Sequence, residues 1–287
     1  MSLISVSELR DRLDDPTIRI ADVRWWLADP AKGRRDYYAG HIPGAVFIDV
    51  DTDLVGPAGP GRHPLPTPAL FAARLAELGF GDGDEIVAYD DAGGTIAARL
   101  WWMLDDLGHA RARVLDGGLP AWVAEGGPLT DEVPAHQAAT LSLAPAWRRR
   151  IEREDVVAGL GQLTILDARA GERYRGEIEP VDLVAGHIPT AISAPAAGSL
   201  RPDGRFLAPD ELRARFGTLA PGSAAGSPIV ASCGSGVTAS HLALAMRVAE
   251  LPDPLLYGGS YSDWSRSGMP VATGDAPGAV PEELRPR

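Results

Sequence analysis

Four landmarks occur twice along this chain, in the same order. Residues 18–24 (IRIADVR) resemble residues 163–169 (LTILDAR), each with an aspartate two positions before an arginine: Asp22 and Arg24, then Asp167 and Arg169. A Gly-His-Ile-Pro follows each, beginning at Gly40 and at Gly186. Residues 85–90 (EIVAYD) match 228–233 (PIVASC), and a Gly-Gly followed by a tryptophan, Gly117 to Trp122, is echoed from Gly258 to Trp264. The offset runs from 141 residues (Leu115 to Leu256) to 146 (Gly40 to Gly186), so loops have drifted while the frame has been kept. That period is too long for a solenoid unit and fits a complete domain, which makes this a duplicated domain.

Within each copy, short β-branched runs at 18–23, 85–89, 164–168 and 228–232 read as buried parallel strands. They alternate with stretches that carry apolar residues every three or four positions, at 68–79, 95–107, 208–216 and 238–250, which predicts helices between the strands. The expected fold class is α/β, two tandem domains, each a mostly parallel sheet flanked by helices. The first domain is expected over 1–130, a linker rich in Ala and Pro over 131–147, and the second domain over 148–273. A loosely held tail with Pro277, Pro281 and Pro286 is expected over 274–287.

Charge and cysteine usage narrow the chemistry. A formal charge of −12 argues against a nucleic-acid or anionic-membrane surface, so an anionic substrate has to be captured locally. No apolar run approaches the ~20 residues of a bilayer span. Residues 1–12 lack a basic region followed by an apolar core, and a cytoplasmic location is therefore expected. One cysteine can form neither an internal disulfide nor a multi-cysteine zinc cluster, so Cys233 acts, if at all, as a thiol.

Cys233 stands where a strand runs through a Gly-containing loop into a helix: Cys233-Gly234-Ser235-Gly236-Val237-Thr238. In open α/β sheets ligands bind at this carboxyl edge. A loop with Gly234 and Gly236 can curl its backbone N–H groups toward one point, and the helix adds its positive end, which makes a cradle for an anion. Such donors stabilise a thiolate, or the terminal sulfur of a persulfide. A lone cysteine is more often a small buried hydrophobe, but packing alone has no use for a Gly-Ser-Gly turn. The first copy carries Asp90 at this position, followed by Asp91-Ala92-Gly93-Gly94-Thr95, so it keeps the loop but lacks the nucleophile, and only the second copy can be catalytic.

The tandem pattern, CGSGVTA at 233–239, the two GHIP segments, WWML at 101–104 and LDGGLPAW at 115–122 resemble the two-domain rhodanese family of thiosulfate and 3-mercaptopyruvate sulfurtransferases. The resemblance covers residues 1–272. It implies a ping-pong transfer in which a donor leaves sulfur on Cys233 and cyanide or a thiol removes it, with no metal or organic cofactor. It implies backbone donors from Gly234, Gly236, Val237 and Thr238, and help with proton movement from Ser235. Arg173 matches the first carboxylate-binding arginine of the mercaptopyruvate pattern, with Arg175 as a neighbouring candidate. The second arginine of that pattern has no counterpart, because Val181 or Asp182 falls in its place. His41 matches a histidine of catalytic or supporting role facing the loop across the domain interface, with Asp29 or Asp36 as its partner, although His187 in the second copy suggests that this histidine braces a turn. Arg62, in RHPLP, is a candidate for anion steering.

Rival chemistries fare worse. A cysteine phosphatase of related fold needs an arginine about six residues after the nucleophile, and Ala239 stands there. His41 and His187 lack a helical His-x-x-x-His metal spacing. A sulfur relay to a protein thiol shares the first half-reaction and stays open as the alternative.

Overall fold

The computed structural model describes residues 2–221 and 227–285, and they form two compact units. Unit 1 comprises Met1–Gly56, Leu65–Arg148 and Leu200–Phe206; unit 2 comprises Pro57–Pro64, Arg149–Ser199 and Leu207–Arg287. Each unit thus contains a short stretch that belongs, by chain position, to the other repeat. Residues 131–147, expected as a linker, group with unit 1, where the amides of Ala139 and Ala144 donate to Ala76 and Leu107.

Unit 1 runs β1 (Leu3–Ile4), α1 (Val6–Arg10), β2 (Ile18–Asp22), α2 (Lys32–Ala39), β3 (Ala45–Phe47), α3 (Val50–Asp53), α4 (Pro68–Glu77), β4 (Glu85–Tyr89), α5 (Ala97–Asp106), β5 (Ala112–Leu115) and α6 (Gly118–Ala124). Its five strands are all parallel in the order β1-β5-β4-β2-β3. Unit 2 runs β6 (Arg150–Ile151), α7 (Arg153–Ala158), β7 (Thr164–Asp167), α8 (Gly171–Arg175), β8 (Ile192–Ser193), α9 (Pro209–Leu219), β9 (Ile229–Ser232), α10 (Ala239–Val248), β10 (Leu255–Tyr257) and α11 (Ser260–Trp264). Its sheet repeats the topology as β6-β10-β9-β7-β8, again all parallel. Parallel strands covered on both faces must be apolar throughout, which is why IVA in β9 and IVAY in β4 read as unbroken runs. Helix starts follow local chemistry: Thr67 caps α4 through Leu70 N–H with Pro68 in the first turn, and Glu211 reaches back to Ala208 N–H at α9. The first eight residues of α10, Ala239–Met246, are all buried, so it lies within unit 2 and its first turn fixes the loop before it.

The repeated motifs are one structural device used twice. Arg24 forks onto Asp22 and donates to Gly40 O, as Arg169 forks onto Asp167 and donates to Gly186 O. The arginine thus ties a strand end to the Gly-His-Ile-Pro turn. His41 stacks on Tyr37 at 3.9 Å and His187 on Tyr174 at 3.7 Å. The Nδ1 of each lies 2.8 Å from the carbonyl of the tyrosine under it.

The tail departs from expectation. Thr190 N–H donates to Pro277 O, Gly274 N–H donates to Arg175 O, and Val280 and Leu284 pack on the core around Ile165, Val230 and Trp264. Its prolines interrupt regular structure without preventing apolar anchoring. Pro286 lies outside the described residues. Among the described residues no helix is long and apolar enough to cross a membrane.

Candidate active site

β9 is the central strand of the second sheet and ends at Ser232, so Cys233 is the first residue beyond its carboxyl edge. The turn that follows folds back on the sulfur: the amides of Ser235 and Gly236 donate to Sγ at 3.4 and 3.1 Å. Gly236 holds φ at +82°, a left-handed backbone that a side chain would strain. The amides of Val237, Thr238 and Ala239 have no acceptor among the described residues. They belong to the start of α10, where backbone donors go unspent and the helix dipole is positive. Cys233 itself is 2% exposed.

A second set of bonds pins the loop from behind. Cys233 N–H donates to Ser260 Oγ at 3.1 Å, and that hydroxyl donates to Tyr257 O at 2.7 Å. Tyr261 N–H then donates to Cys233 O and Ser262 N–H to Gly234 O. Ser260 adopts φ +50° to do this, a left-handed conformation that costs a non-glycine about 1 kcal/mol and that these bonds hold in place.

Residues 57–64 of unit 2 bring two further side chains to the loop. Nδ1 of His63 lies 2.6 Å from Ser235 Oγ, and both residues are buried. Arg62 forms an ion pair with Asp182, whose other carboxylate oxygen pairs with Arg173 at 3.0 Å. Arg173 also bonds Glu179 at 2.7 Å. A Cβ on Gly234 would lie 2.9 Å from Nη2 of Arg62 and 3.5 Å from Nη1 of Arg173, so two guanidinium groups sit over the residue after the cysteine. Burial pushes the Glu179 carboxyl up, but Arg173 and the amides of Asp182 and Val181 outweigh it and leave it below the usual carboxylate range. Burial raises the Tyr261 hydroxyl, with Arg169 lying over its ring at 3.8 Å as an opposing influence.

The sequence expectations fare unevenly against this geometry. Cys233, Ser235, Arg173 and Arg62 come together in unit 2. His41 does not behave as a substrate ligand: it is fully buried in unit 1, with Nδ1 against Tyr37 O and Nε2 3.1 Å from Glu132 O. Both of its ring nitrogens face backbone carbonyls, and the Nδ1 contact to the stacked tyrosine is the bracing feature it shares with His187, whose Nε2 is buried without a partner among the described residues. Asp29 and Asp36 do not pair with it, being bonded to Arg35 and Lys32. Arg175 turns to Glu177 and Asp275 at the surface rather than to the loop. Sequence reasoning missed His63 and Ser260. The available signal for His63 was its lack of a counterpart, since a histidine present in one copy only is free of the bracing task that both copies share.

In unit 1 the corresponding loop is filled by its own side chain. Asp90 Oδ1 accepts from the amides of Ala92 and Gly94, at 2.9 and 2.8 Å, and Oδ2 from those of Ile96 and Ala97, both at 2.8 Å.

Comparison with known proteins places the chain in a family. A profile of the rhodanese-like domain matches residues 5–125 and 147–267. A protein of Pseudomonas aeruginosa named "Probable 3-mercaptopyruvate sulfurtransferase" is 44% identical over 280 residues, 95% of this chain and 98% of that one. The thiosulfate sulfurtransferase of Bos taurus is 35% identical, covering 89% of this chain and 87% of its own length. The 3-mercaptopyruvate sulfurtransferase structure from Leishmania major superposes with a TM-score of 0.82 at 31% identity, over 94% of this chain and 75% of that one. With two rhodanese-like domains, a cysteine loop in the second and relatives of this identity along nearly its whole length, the chain belongs to the two-domain rhodanese family of thiosulfate and 3-mercaptopyruvate sulfurtransferases.

Proposed function

We propose that Cys233 is the sulfur carrier of this sulfurtransferase, accepting sulfur from thiosulfate or 3-mercaptopyruvate and passing it to cyanide or a thiol. The observation that carries the reading is the position of Sγ beneath the amides of Ser235 and Gly236 at the carboxyl edge of the central strand, beside the Ser235–His63 pair. The Cys233 thiolate attacks the outer sulfur of the donor. With thiosulfate the S–S bond breaks and sulfite departs with its electron pair. With 3-mercaptopyruvate the C–S bond breaks, the electron pair passes to carbon, and the proton that was on sulfur ends on that carbon to give pyruvate. Either route leaves a Cys233 persulfide anion. Its terminal sulfur extends about one bond length beyond Sγ, where the unspent amides at the start of α10 are suited to receive negative charge.

The two donors ask different things of the site. Sulfite leaves without a proton, whereas the carbanion-like product of mercaptopyruvate needs one. Ser235 and His63, bonded at 2.6 Å and shielded from water, can relay it. Cyanide then attacks the terminal sulfur and leaves as thiocyanate, restoring the thiolate. The acceptor in the second half-reaction can equally be a thiol, small or on a protein. We place the reaction in the cytoplasm, as a proposal from the sequence.

The test is intact-mass analysis after incubation with each donor and no acceptor, using Cys233→Ser as the blank. Wild type should gain one sulfur atom, mapped to Cys233, and lose it on addition of cyanide. A chain that forms thiocyanate without ever gaining sulfur at Cys233 would refute the assignment.

A further inference from the structure

The mercaptopyruvate pattern expects a second arginine near position 181 or 182, and this chain has Val181 and Asp182 there. Asp182 is fully buried as a side chain and bonds both Arg62 and Arg173. Each guanidinium is thereby anchored at one end. Arg62 gives Nη1 to Asp182; Arg173 gives Nε and Nη2 to Glu179 and Asp182. The remaining terminal nitrogens, Nη2 of Arg62 and Nη1 of Arg173, make no hydrogen bond among the described residues, and these are the atoms that converge on Gly234. Arg62 Nε is also buried without a partner among them.

We propose that Arg62 supplies the missing second guanidinium, and that Asp182 is the positioning residue that sets Arg62 and Arg173 as a clamp for the carboxylate of the donor. This rests on the sulfurtransferase reading above and extends it to specificity. Gly234 is part of the device, because any side chain there would displace the Arg62 end of the clamp. Two inward nitrogens from two planar cations match the two oxygens of one carboxylate. Charge selects in the same direction. The two arginines are balanced by Asp182 and Glu179, so the clamp is neutral before the donor arrives. A neutral, half-enclosed site takes a single negative charge at less cost than the two of thiosulfate. The clamp therefore favours a thiol donor that carries one carboxylate.

Steady-state kinetics with both donors, combined with inhibition by pyruvate as a non-reacting carboxylate, test this. Arg62→Ala should raise the KM for 3-mercaptopyruvate and the pyruvate inhibition constant by about tenfold or more, with kcat within about threefold. Arg62→Lys, which keeps the charge and loses the fork, should fall between Arg62→Ala and wild type and guards against a folding artefact. Asp182→Asn should raise the KM for 3-mercaptopyruvate and lower that for thiosulfate, a crossing that general loss of structure cannot produce. A KM and pyruvate inhibition constant within twofold of wild type in both Arg62 variants would overturn the clamp. Absence of sulfur on wild-type Cys233 would instead overturn the parent reading, and pyruvate binding would still judge the clamp.

Discussion

Asp90 and Cys233 occupy the same step of the two repeats, each just past the central strand of its sheet, yet they leave their loops in opposite states. The Asp90 loop is closed on itself, with four backbone amides spent on one carboxylate. The Cys233 loop spends two amides on sulfur and leaves three at the helix start without an acceptor among the described residues. A cradle for negative charge is thus a property of the repeat, and the side chain at its first residue decides whether the charge is internal and permanent or belongs to a transferable atom. The surroundings diverge accordingly. Asp90 is followed by Asp91, whose carboxyl is raised by burial and by the Asp90 charge, whereas Cys233 is followed by a glycine beneath two arginines.

The comparison can be broken first at the sulfur. Cys233→Ser should lower kcat/KM with either donor by more than about 10³-fold while leaving thermal unfolding within a few degrees of wild type, because a hydroxyl can accept the same two amides. Retained turnover would show that the open cradle is not where the chemistry occurs. Ser235→Ala and His63→Ala come next, with an expected loss of about 10²-fold in kcat for 3-mercaptopyruvate and about tenfold less effect with thiosulfate, which needs no proton. Equal losses for both donors would assign the pair to loop geometry instead of proton transfer.

The closed cradle is tested through stability. Asp90→Asn keeps the shape but turns one accepting oxygen into a donor facing amides, and should cost about 2 kcal/mol, measured as earlier unfolding in denaturant, with no loss of turnover per folded molecule. The smallest effect concerns pH. Glu179 titrates below its ordinary range in the folded chain, so its contribution is full above about pH 4.5 and is lost as the pH falls through the depressed folded value. Glu179→Gln should therefore destabilise unit 2 by about 1 kcal/mol at pH 7 and by progressively less toward pH 3. A difference that does not change with pH would mean the carboxylate acts by shape alone.

Much of this was legible in the sequence because its causes are local. The strand, the Gly-x-Gly spacing and the helix behind Cys233 all lie within residues 229–248, and the duplication repeats a strand, a glycine-containing loop and a helix at Asp90. His63 was not legible, because its bond to Ser235 joins residues 172 positions apart and has no echo in the other repeat. For His41 the match to a family histidine pointed toward the substrate, whereas its repetition as His187 pointed to a braced turn, and the ring facing two carbonyls follows the second signal. Arg173 could be placed by match, but the replacement of a second arginine by Asp182 looked like a loss until Arg62 was seen on that same carboxylate.

The stretch from Pro57 to Pro64 gives the duplication a further meaning. A gene fragment that begins near residue 149 would encode every strand of the second sheet, the nucleophile and its loop, and would still lack Arg62 and His63. On the roles proposed above, such a fragment would lack the histidine of the relay and one arm of the clamp. The first repeat, which has no nucleophile of its own, cannot be shed in the way an idle copy can. The side chains gathered at the Cys233 loop thus come from two distant stretches of sequence, and a chain keeps that arrangement only by inheriting both.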